Sequence, residues 1–146
     1  MRHAFLLACF LLAGCDKPQT PEDFNTTDLT LPGGQVIKVE TMINKLDLGR
    51  GLQYRPSLAA DHGMLFVHAT PGYYRYWMYK ILVPLDIIWL DSDRKVVQMV
   101  LSLQPCGPDP NTCPQYGSAR PAHYVLEVPG GTAKKYNLRV GQQLTW

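Results

Sequence analysis

Three charged side chains sit among otherwise apolar or turn-forming neighbours: Arg55, Asp61 and Asp86. An arginine can hold an anionic group through two parallel N–H donors, and a nearby carboxylate can orient or activate what is held. The trio is therefore the candidate polar site. The structural alternative is an internal ion pair, Arg55 with Asp86 or with Asp61, pinning irregular chain against a sheet; such buried pairs are weak evidence for stability or for a site. Asp86 directly precedes Ile87-Ile88-Trp89-Leu90, a run that is apolar on both alternating faces. A carboxylate beside such a run costs free energy unless it is hydrogen-bonded or paired, so Asp86 is expected to have a partner.

Aromatic residues are dense just upstream, at Tyr73, Tyr74, Tyr76, Trp77 and Tyr79. Two-residue alternation puts Trp77 and Tyr79 on one face and Tyr76 and Met78 on the other. Most aromatics in such a strand fill the core. This many exceed what one small core requires, and an aromatic groove suits a glycan or a peptide. His62, His68 and His123 lack short metal-ligand spacing and read as structural, so no metal or cofactor is expected. There is no Gly-x-Ser-x-Gly elbow and no glycine-rich phosphate loop, and the serines show no activation signature.

The N-terminus places the chain. Met-Arg-His is followed by an apolar run from Ala4 to Ala13 and then Gly14-Cys15, which reads as a secretory signal too short to span a bilayer. Leu12-Ala13-Gly14-Cys15 resembles the lipobox of bacterial lipoproteins. That implies cleavage before Cys15, lipid attachment at Cys15 and a stable membrane anchor. Asp16 in such lipoproteins implies retention at the inner rather than the outer membrane. Residues 1–14 are then the signal peptide, 15–34 the lipidated cysteine and a polar, Pro-bearing tether, and 35–146 one β-rich domain. The net charge of +2 shows no basic cluster, so nucleic acid is not an expected partner. Cys106 and Cys113 remain in an exported domain and are expected to form a disulfide across the turn-rich Gly-Pro-Asp-Pro-Asn-Thr loop. Metal ligation and redox work are the alternatives, neither with the usual spacing.

The elements that must position these residues are short and mostly extended. Val36–Thr41 alternates, with Ile37, Val39 and Thr41 on one face and Lys38 and Glu40 on the solvent face. A short helix within 43–50 and irregular chain over 52–61 follow. Strands are expected over 64–68, 74–79, 86–90, 96–103, 123–128 and 140–145, with a short strand candidate at 29–31 before a Pro-Gly-Gly turn and one helical turn at 132–136 stopped by Asn137. The 96–103 strand pairs back on 86–90 with Val97, Met99, Leu101 and Leu103 on its apolar face. Seven or so strands with frequent turns predict a mainly β, single, small sandwich-like or barrel-like domain with one or two short helices.

Ordered motifs carry a family resemblance. They are Gly51-Leu52-Gln53-Tyr54-Arg55, Leu58, Asp61-His62-Gly63-Met64-Leu65-Phe66-Val67, Tyr76-Trp77-Met78, Val83-Pro84-Leu85-Asp86-Ile87-Ile88, Cys106, Cys113, Tyr116 and Pro121-Ala122-His123-Tyr124-Val125-Leu126-Glu127. Over roughly residues 35 to 145 the chain resembles the bacterial and archaeal family called domain of unknown function 192. The resemblance implies a small, mainly β fold and no assigned reaction. The chain departs from the family pattern at Tyr79-Lys80-Ile81, where polar residues such as Lys-Asn-Thr are usual. It departs also at Tyr76 for Phe, Tyr54 for Met and Arg94 for a turn Gly.

The reading is a lipid-anchored envelope protein facing the periplasm, whose β domain binds a small molecule, a glycan or an envelope protein and is not an enzyme. The candidate ligand-binding residues are Arg55, Asp61, Tyr76, Trp77, Asp86 and Tyr116. The second reading is a hydrolase of an envelope polymer, with Asp86 or Asp61 as acid or base and Arg55 orienting.

Overall fold

The structure is a computed structural model and describes residues 26–146. The expected signal peptide, the lipidation site Cys15, Asp16 and the first part of the tether lie outside the described residues. Eight strands form: β1 (Thr26–Thr30), β2 (Val36–Met42), β3 (His62–Gly72), β4 (Arg75–Trp77), β5 (Leu85–Leu90), β6 (Val96–Leu103), β7 (Gln115–Gly117) and β8 (Ala122–Pro129). Two short helices, α1 (Lys45–Arg50) and α2 (Thr132–Lys135), complete the domain. Six strands make one mixed sheet in the order β1-β2-β3-β8-β5-β6, and β4 pairs with β7 in a separate ribbon.

The mainly β expectation holds. The large sheet is open, with β1 and β6 at its edges. The C-terminal segment bonds to both: Thr30 and Thr145 exchange backbone hydrogen bonds, while Gly141 and Gln142 bond to Val96. Residues 140–145 were expected to form a regular closing strand; instead they make isolated bridges, these together with Gln143 to Lys95 and Leu144 N to the Arg94 carbonyl. The tether boundary also moves. Thr26–Thr30 pairs along its whole length with β2, and Leu29 is fully buried, so the folded part begins before residue 35.

The central strands are apolar on both faces because both faces are covered. Every residue of β5 is buried. One face packs Ile37, Val39, Leu65, Ile88, Leu126 and Val128 under α2 and the C-terminal segment, where Leu138 and Leu144 close the cluster. The other face packs Met64, Phe66, Ile87, Trp89 and Val125 under Leu52, Met78 and Ile81, with Tyr76 and Tyr116 of the ribbon against them. Gly63 is required where β3 lies against β8: a Cβ there would meet the Glu127 carbonyl oxygen at 2.7 Å and Val128 Cγ1 at 2.9 Å.

Two face assignments change. Glu40 is only 1 % exposed, since its neighbour across the ladder is Met64 and both point under the irregular 51–58 segment. In β6 the register against β5 shifts twice, so Val96 and Val97 are both buried while Leu101 is exposed. A bulge breaks the two-residue period that the sequence alone displays.

Candidate functional site

The three charged residues of the expected site do not converge. Asp86 is fully buried and accepts hydrogen bonds from three backbone amides: Ser102 N at 2.7 Å, Gly131 N at 3.0 Å and Ala133 N at 2.8 Å. It ties β5 to β6 and caps the start of α2, whose own N-cap residue, Gly131, has no side chain to do so. Asp61 is exposed and bonds His62 Nδ1 at 2.8 Å; that hydrogen bond holds its carboxyl below the usual range. Arg55 pairs neither with Asp86 nor with Asp61. Its guanidinium grips Glu40 in two places, Nη1 to Oε1 and Nη2 to Oε2, the latter at 2.7 Å. The structural alternative for Arg55, an internal ion pair, therefore exists with a different acid. None of these three residues lines the cleft described below.

Cys106 and Cys113 are bonded, with Cα atoms 5.4 Å apart. The closed loop leads directly into β7, whose Tyr116 lies opposite Tyr76 of β4. Tyr116, expected to meet a ligand, instead packs against the core beneath and props up β4.

The aromatic stretch does form a cleft. A cavity of about 330 Å³ opens between the end of α1, residues 51–53 and the 74–81 segment, and Tyr76 and Trp77 both line it. Tyr76 is half-buried, edge-on to Phe66 and Trp89, with its hydroxyl 3.1 Å from His68 Nε2. Burial, then the neighbouring Glu127 and Tyr74, push the Tyr76 phenol up. His68 stacks on Tyr74; burial first, then His123, pushes its imidazole down to about 4, so it is neutral at neutral pH. Tyr74 is fixed in turn, with its carbonyl accepting from Trp89 Nε1 at 3.0 Å.

Glu127 forms the base of the cleft. It is 3 % exposed, and its Oε2 is buried with no hydrogen-bond partner. Burial alone pushes its carboxyl up to about 8, which makes it a protonated acid at neutral pH. Neither Glu127 nor His68 was among the sequence candidates. The available signal was an acid sharing one face of β8 with His123 and the buried Val125. Three departures from the family pattern also meet here. The Lys80 ammonium lies 5.3 Å from the Tyr54 ring centre and 4.9 Å from that of Tyr79, which lines the cleft.

The arrangement can hold a ring against aromatic faces, donate or accept a proton at Glu127, and orient an oxygen through Tyr76. Comparisons with known proteins agree with the fold and leave the chemistry open. A protein of unknown function from Novosphingobium aromaticivorans DSM 12444 superposes with a TM-score of 0.77 at 25% identity, over 92% of this chain and 94% of that one. A "putative transcription regulator" from Sinorhizobium meliloti 1021 gives 0.70 at 28% identity, over 81% and 89%. No curated protein matches. The profile of domain of unknown function 192, described as Uncharacterized ACR, matches residues 28–146, which takes in every strand but the first two residues of β1. With that span and the shared fold, the chain belongs to the family of domain of unknown function 192.

Proposed function

We propose that the domain binds a small molecule in the cleft beneath Tyr76 and Trp77, while lipidated Cys15 holds it at the periplasmic face of the inner membrane. The observation that carries the binding reading is Glu127. A buried carboxyl with an unpartnered oxygen destabilises the fold, and such groups persist where they serve a ligand or a reaction. The aromatic walls supply apolar contact area, as ligand clefts generally do. The hydrolase reading has less support, because Asp86, Asp61 and Arg55 are each engaged separately.

Binding is tested by native mass spectrometry of the protein taken from its own membranes. A small-molecule adduct on the wild type that is lost in a folded Trp77→Ala or Tyr76→Ala variant supports the reading. An adduct retained in both variants moves the site elsewhere. The anchor is tested separately by fractionation: Cys15→Ala should release the protein from the membrane, and an unchanged membrane fraction counts against lipidation.

A further inference from the structure

Arg50 and Arg75 stand exposed at the rim of the cleft, and no carboxylate among the described residues is within ion-pair distance of either. The contrast with the buried row beneath is informative. Pairing across β2, β3, β8 and β5 sets Glu40, Met64, Glu127 and Ile87 side by side on one face of the sheet. At the usual strand spacing the two acids are about 10 Å apart. Glu40 is neutralised by Arg55, whereas Glu127 has no cation against it. The groups facing Glu127 are Met64 and His68 of β3, Ile87 of β5, His123 along its own strand, and Tyr74 and Tyr76 from above. With His68 neutral and Glu127 holding its proton, an incoming molecule meets two guanidinium charges and a buried hydrogen-bond donor.

We infer that the cleft takes a ring bearing a carboxylate. The carboxylate meets Arg50 and Arg75, the ring lies against Tyr76 and Trp77, and Glu127 donates its hydrogen to another oxygen or π-face of the same ligand. This rests on the binding reading above and adds the ligand's class. A uronic sugar and an aromatic acid share this chemistry. Deprotonation of Glu127 removes the donor and sets a like charge against the ligand. Affinity should therefore fall about tenfold for each pH unit above the Glu127 titration.

The test uses the full-length chain in detergent, following the ¹⁵N-indole resonance of Trp77 as millimolar benzoate, glucuronate, glucose or benzylammonium is added at pH 6.5 and pH 9. Benzoate or glucuronate should shift the resonance at pH 6.5 and bind about tenfold more weakly at pH 9. The stronger of the two identifies the aromatic or the sugar source. Arg50→Gln with Arg75→Gln should lower carboxylate affinity by about tenfold or more. Glu127→Gln should keep binding, through its amide hydrogens, and flatten the pH profile. Benzylammonium binding that strengthens with pH overturns the ligand class and leaves the cleft as a binding site. Carboxylate binding that is equal at both pH values overturns the part given to Glu127. If no probe moves Trp77, the inferred ligand class is overturned, while the binding reading stands or falls on the native adduct.

Discussion

Glu127→Gln should stabilise this protein, by an amount that depends on pH. In the unfolded chain the carboxyl titrates near 4.5, and in the folded protein near 8. Between those values the unfolded state has released a proton that the folded state retains. Stability linked to Glu127 is therefore fully present below about 4.5 and is lost progressively as pH rises through about 8. At pH 7 the gap is about 2.5 pH units at 1.36 kcal/mol each, a loss of up to about 3 kcal/mol. Glutamine has nearly the same shape and no proton to lose, so it removes this term. The variant should match the wild type at pH 4, apart from a constant packing difference, and exceed it at pH 7. For a domain of this size the gain corresponds to a rise in Tm on the order of 10 °C. Thermal or urea denaturation of both proteins from pH 4 to pH 9 measures it. A difference that stays constant across that range would refute the reasoning, because it would mean that Glu127 titrates alike in both states.

Asp86→Ala removes the side-chain acceptor for three backbone amides, of which Ala133 N is buried, and should destabilise the domain by about 3–5 kcal/mol, seen as a lowered urea midpoint. Arg55→Met leaves Glu40 buried without its cation. It should cost a similar amount, about 3–5 kcal/mol, and Glu40→Gln in the same chain should recover much of it. Replacing Cys106 and Cys113 by serine opens a short loop and should cost about 2–3 kcal/mol in the chain-entropy account. Because that loop feeds the strand paired with β4, the same variant should broaden the Trp77 resonance before global unfolding begins.

The parts of the fold that were legible are those where one physical rule acts alone. Ile87-Ile88-Trp89-Leu90 could be read as a strand covered on both sides because no solvent face would tolerate it. Asp86 could be given a partner because an unpaired acid there is too costly. Glu40 and Glu127 were not legible. An acid alternating with apolar residues reads as solvent-facing, and that face is covered by the irregular 51–58 segment, the β4–β7 ribbon and the turn that carries Met78 and Ile81. Neither covering element has a periodic signal. The cleft was half visible: Tyr76 and Trp77 were marked by aromatic density, whereas Arg50 and Arg75 belong to a helix and a ribbon whose placement depends on long-range contacts. The ion pair considered for Arg55 as an alternative to a ligand role named Asp86 or Asp61 and not Glu40, since sequence distance does not reveal which strand lies beneath it.

The C-terminal segment that touches both β1 and β6 has a consequence for how the protein fails. Edge strands invite pairing with other chains, and here one stretch, Gly141–Thr145, blocks a corner of both. Its loss would uncover two sticky rims in a single event. Misassembly should therefore begin at the chain's tail rather than at the cleft, and a label fused close behind Trp146 risks clumping that has nothing to do with ligand chemistry.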